Sequence, residues 1–310
     1  MHNIYDQFLG SWWGGIIGQS SLLNLVASPQ GNLFTQPWLK RRGQIAQMLL
    51  ESELDNSSSE QSLEEVDPDS HLQHDSCLLS LLPLIIFDRE RPNFGSENLH
   101  KCNLKSANLV RDSYDNSNVL LWSYLLTTVF NHKTDLLTAK ITEEAIFNHS
   151  LVEPSPVAKK IRLVETAIKG GITFEELKTR LVGEPDHEST AIALSWYCFI
   201  STPYDSKLSI RRAALVEPNL AWLTTALTGT LSGTYNGMAR ISVNWRIDTQ
   251  PSSQDKENLL FIRLYKFWLG VYATDANIER WDLAVNAIAT ARGIQPRPSL
   301  KIISQLDLDR

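Results

Sequence analysis

The chain has 310 residues, 43% hydrophobic and 21% charged, enough length and apolar content to bury a sizeable core. Its formal net charge of −6 argues against nucleic acid as the main partner, because neutralising phosphates needs a basic face. Three scattered cysteines, Cys77, Cys102 and Cys198, with no Cys-x-x-Cys pair, point away from a zinc knuckle or disulfide framework and fit free thiols in a reducing compartment.

Read from its beginning, the chain lacks the basic stretch of a secretory signal. Its first apolar segment carries Gly10, Gly14 and Gly18 at a spacing of four, which puts them on one face of a helix. Each interior glycine costs about 1 kcal/mol relative to alanine, so a close helix–helix approach must compensate. The compact basic cluster Lys40-Arg41-Arg42 reads as a solvated turn. Residues 51–75 hold nine Asp or Glu and no Lys or Arg, a composition that predicts a mobile, solvated insertion. Its Ser57, Ser58 and Ser59 could carry phosphate, and the segment could dock a basic protein partner. Residues 77–87 are apolar but contain Pro83 and are too short to span a bilayer, so a cytoplasmic protein with no membrane partner is expected.

From here the pattern is helical. Residues 119–130, 161–168, 189–200, 220–235 and 259–272 carry broad apolar faces of helical length. Thr142-Glu143-Glu144 reads as an N-cap followed by first-turn acids, and Thr173 with Glu176 as a capping box. Gly170-Gly171 ends the helix before it. A second glycine ladder, Gly229, Gly233 and Gly237, repeats the spacing of the first. The two laddered helices are expected to pack tightly, and against each other is one way to do so. A polar break at 248–258 and a surface-wrapping tail at 294–310 with Pro296 and Pro298 complete the chain. No alternating strand pattern is present, so the expected class is all-α. The nine tryptophans fill a core or line a groove.

The ladders carry a family resemblance. Gly10-Ser11-Trp12-Trp13-Gly14-Gly15-Ile16-Ile17-Gly18-Gln19 resembles the opening of the ADP-ribosylglycohydrolases, a glycine-rich helix ending in Gly-Asp. Residues 228–241 are similar to the late helix of that family, residues 187–199 and 208–215 to the two helices before it, and 44–52 to the helix after its Thr-Asp-Asp-Thr motif. Residues 77–87 are similar to a middle apolar segment. The resemblance implies one all-α domain over 1–310, in a family whose chemistry uses two Mg²⁺ held largely by carboxylates.

Carried over residue by residue, those carboxylates are missing. Thr-Asp-Asp-Thr falls on Lys40, Arg41, Arg42 and Gly43, and a later Asp-x-Asp-Thr on Leu220, Ala221, Trp222 and Leu223. Gly-Asp becomes Gly18-Gln19. No acid lies between Ser11 and Leu50, and Glu217 is the only one between Ser206 and Ile247; Asp186 and Glu188 are the other nearby carboxylates. The resemblance therefore implies a non-catalytic member with no metal and no catalytic residue. Its former cleft, with Gln19, Arg41, Arg42 and Trp222, could bind an ADP-ribose-like or nucleotide anion through guanidinium forks and indole stacking. Otherwise Arg41 and Arg42 are solvated and Trp222 fills the vacated space. The alternative is a hydrolase of ADP-ribosyl linkages using other residues, such as His187 with Glu188 or Asp88 with Glu90.

Overall fold

A computed structural model describes residues 4–26, 37–52, 77–88, 116–131, 155–182, 186–248 and 254–269. Among these the structure is helical, with no strand, in agreement with the all-α expectation. The acidic segment beyond Ser52, Thr142-Glu143-Glu144 and the tail at 294–310 lie outside the described residues.

In chain order the helices are α1 (Ile4–Val26), α2 (Pro37–Ser52), α3 (Cys77–Ser80), α4 (Leu82–Asp88), α5 (Asn116–Asn131), α6 (Pro156–Gly170), α7 (Phe174–Val182), α8 (His187–Ile200), α9 (Ser206–Ala213), α10 (Pro218–Asn236), α11 (Val243–Asp248) and α12 (Gln254–Trp268), with a 3₁₀ turn at Met238–Arg240. Local chemistry explains most boundaries. Pro156 and Pro218 open α6 and α10, where the missing N–H goes unneeded. Ser155, Asp186 and Asp205 cap α6, α8 and α9 by accepting from the N–H three residues on. Thr173 does the same for Glu176 N at 3.4 Å. Gly171 closes α6 in the left-handed conformation at φ 64°.

Three boundaries differ from expectation. The first helix does not end at Gly18-Gln19 but runs to Val26, since the apolar pattern continues through Leu22, Leu23 and Leu25. The polar break at 248–258 is shorter than its composition suggests, because α11 includes Asp248 and α12 starts at Gln254. Lys40-Arg41-Arg42 forms no turn; it lies inside α2.

Helix α10 is the axis of the fold. Apart from Trp222, every residue from Leu220 to Asn236 is buried, and the helix packs against α1, α8, α9 and α5. Against α1 the two glycine ladders meet. A methyl group built on Gly10 would overlap the Gly233 carbonyl oxygen, on Gly14 that of Gly229, and on Gly18 that of Thr225. Residue numbers rise along α1 as they fall along α10, so the two helices run antiparallel. All three glycines of the second ladder lie against α1, Gly237 through its carbonyl carbon, 2.9 Å from a methyl group built on Gly10. Gly237 also ends α10 at φ 76°, with the Asp6 carboxylate against it, and Asp6 Oδ1 accepts from Ala239 N at 3.1 Å.

Four tryptophans, Trp12, Trp38, Trp122 and Trp196, are fully buried, which assigns them to the core. Around Trp12 the packing is aromatic: Phe261 of α12 lies 5.7 Å from it, ring centre to ring centre.

Candidate functional site

The positions onto which the resemblance would carry carboxylates lie on α2 and α10, two helices that flank α1. On one flank stands α2, whose buried positions Trp38, Leu39, Arg42, Ile45 and Ala46 recur at helical spacing and face the core. Arg42 occupies one of these positions and is fully buried, in contrast to the solvated role expected for it. Its guanidinium carbon lies 4.1 Å from the Trp12 ring centre and 5.4 Å from that of Trp38, and Nη1 donates to the Trp12 carbonyl oxygen at 2.7 Å. Arginine suits this place: it stays charged, its planar group stacks on indole, and it sheds water more readily than an ammonium.

Gln19 lies nearby on α1, and its Oε1 accepts from Trp38 Nε1 at 3.2 Å. The structure thus joins Gln19 to Arg42 through a shared neighbour, Trp38. Arg41 is half-buried and Lys40 exposed on the same helix.

On the other flank is the start of α10. Leu220 is buried, while Trp222 is half-buried and packs on the hydrophobic core. Thr225, one turn later, sits where Gly18 meets α10, and its hydroxyl donates back to Ala221 O at 2.7 Å. Glu217 precedes the helix and is exposed; its side chain makes no cap hydrogen bond. Among the described residues, no group of three or more His, Cys, Asp or Glu side chains is arranged to hold a metal ion.

His187 and Glu188, from the alternative hydrolase reading, lie on α8. His187 is exposed in the first turn of α8, and Glu188 is half-buried, with Oε2 accepting from Asn118 Nδ2 at 3.2 Å. Asp88 ends α4, and Glu90 lies outside the described residues.

One polar cluster escaped sequence reasoning. Lys160 is buried on α6, and its Nζ donates to Asp186 O at 3.0 Å, Ser189 Oγ at 2.8 Å and Thr190 Oγ1 at 2.8 Å. A serine and a lysine in contact suggest a nucleophile and its base. The proton inventory argues otherwise. Each ammonium proton has an acceptor, and both hydroxyls give their own protons to the Asp186 carbonyl, at 3.2 and 2.8 Å. The lysine acts as a donor to all three oxygens and ties α6 to the start of α8. Its signal was present in the sequence: with Val157, Ile161, Val164 and Ala167 it completes the buried stripe of α6.

No protein-family model, curated protein or solved structure matches the chain. No helix among the described residues is long and apolar enough to cross a membrane.

Proposed function

We propose that this chain is a non-catalytic, single-domain relative of the ADP-ribosylglycohydrolases that acts in the cytoplasm by binding a ligand or a protein partner. The observation that carries the reading is Arg42. It stands where the family's motif has an aspartate, and its charge is held between two indoles and bonded to a backbone carbonyl. A divalent cation needs oxygen ligands, with carboxylates prominent. A fixed guanidinium at that position repels such an ion, and the second motif contributes Leu220 and Trp222 in place of oxygens. Gln19 is bonded to Trp38, so half-buried Arg41 and Trp222 are the side chains at which anion binding is to be tested.

Calorimetry with ADP-ribose, in EDTA and again with Mg²⁺, tests this reading alongside an assay for ADP-ribose release from a modified protein. The expected outcome is no release, and any binding heat indifferent to Mg²⁺. Metal-dependent release would overturn it.

A further inference from the structure

Helix α9 and the turns flanking it present a face of mixed character with exposed apolar side chains. Ser206, Ser209, Ile210 and Ala213 point inward and are buried. The opposite side carries Leu208, Arg211 and Leu215, which share one face at the spacings i, i+3 and i+7. The turn continues to Leu215, whose N–H reaches Arg212 O at 3.1 Å. Leu208 is 44% exposed and Leu215 67%; Tyr204, just before the helix cap, is also 67% exposed. Among the described residues these are three of the five large hydrophobic side chains that stand out in solvent.

Charge sets this face apart from the rest of the chain. Residues 206–216 carry Lys207, Arg211 and Arg212 and no acid, within a protein of net charge −6. Lys207 and Arg211 are exposed beside the leucines. Arg212 is tethered by a hydrogen bond from Nη1 to Ser201 Oγ, and Tyr204 is propped edge-on against Tyr235 at 5.6 Å between ring centres. Two of the outer groups are therefore held in place before any partner arrives, which lowers the ordering cost of binding.

We propose that this face is a docking surface for an acidic amphipathic helical segment of a partner protein. Leucine-like side chains of the partner would cover Tyr204, Leu208 and Leu215, and its carboxylates would meet Lys207 and Arg211. Other occupants fit less well. A nucleic acid would find one stacking ring among aliphatic side chains. Asp205 and Glu217, exposed at both ends of the eight-residue helix, bound the basic stretch, so the partner's carboxylates must fall between them. The proposal stands apart from the family reading, since none of these residues belongs to the degenerate motifs.

The test is fluorescence anisotropy on the full chain with a labelled peptide of about 15 residues, glutamates flanking leucines at helical spacing. Its companions are the same peptide with Leu→Ser or Glu→Lys exchanges, phosphatidylserine vesicles and an oligonucleotide. The protein variants are Leu208→Ser/Leu215→Ser and Lys207→Glu/Arg211→Glu, all at exposed positions, with circular dichroism checking the fold. Saturable binding is expected for the acidic leucine peptide alone, weakened about tenfold or more by either double variant and by added salt. Absence of saturable binding, equal binding by the variants, or a preference for vesicles or oligonucleotide would overturn the proposal.

Discussion

The seam between α1 and α10 makes Gly14→Ala a severe test of how this fold holds together. A methyl group at Gly14 would overlap the Gly229 carbonyl oxygen and lie 2.7 Å from its carbon and 3.2 Å from Thr230 Cα. Carbon atoms rest at about 3.5–4.0 Å, so the helices must separate by roughly 1 Å, and every neighbour in the seam must move with them. Overpacking of this kind costs about 1–3 kcal/mol, against about 1 kcal/mol gained in helix propensity. The obstacle is backbone on both sides, which has no rotamer to relax into, so the upper end of that range applies. Net destabilisation of about 2 kcal/mol is expected. Two other glycines calibrate the argument. At Gly15 the one tight contact of the new methyl is with the Thr230 hydroxyl, at 2.9 Å, while Ala226 O and Leu79 Cδ2 stand at 3.6 Å; no backbone must give way, and the effect should be smaller. At Gly170 it meets Ile172 Cγ1 at 3.8 Å, an ordinary contact, and the same change should be neutral or mildly stabilising. Urea unfolding followed by circular dichroism would rank the three. If Gly14→Ala unfolds no earlier than Gly170→Ala, close backbone approach is not what the ladders provide.

Further outcomes follow from buried polar groups. Arg42→Ala should cost about 3 kcal/mol in urea unfolding, because it empties the space between Trp12 and Trp38 and frees the Trp12 carbonyl; a loss below 1 kcal/mol would contradict the assigned packing. Lys160→Met should cost about 3 kcal/mol by removing three charge-assisted hydrogen bonds at the start of α8, again read from the urea midpoint. The hydroxyl of Thr228 is buried without a hydrogen-bond partner among the described residues, whereas that of Thr230 donates to Ala226 O at 3.0 Å. Thr228→Val should therefore be neutral or stabilising by about 1 kcal/mol, and Thr230→Val less favourable than that by thermal melting. Burial pushes the Cys198 thiol above its ordinary pKa of 9.0, with Arg212 a smaller opposing influence. The thiol should resist iodoacetamide in the folded protein at pH 8 and react in urea. Because the folded pKa is the higher one, its contribution to stability is present below pH 9.0 and lost as pH rises further, a slope that Cys198→Ala should reduce.

Much of the local structure was legible before any coordinates. The helical class, the N-cap at Thr173, the stop at Gly171 and the close packing implied by both glycine ladders are one-dimensional facts. They depend on a few neighbouring residues and on the 3.6-residue period, which the sequence displays directly. Only tertiary structure decided the fate of the charges. Lys40, Arg41 and Arg42 are adjacent and chemically alike, yet one is exposed, one half-buried and one enclosed by indoles from two helices. Lys160 and Lys159 are neighbours on α6, and a rotation of one residue sends the first to three oxygens on another helix and the second to water. A buried charge depends on partners distant in the chain, Trp12 for Arg42 at a separation of 30 residues and Ser189 for Lys160 at 29, and no local pattern encodes which of them will arrive.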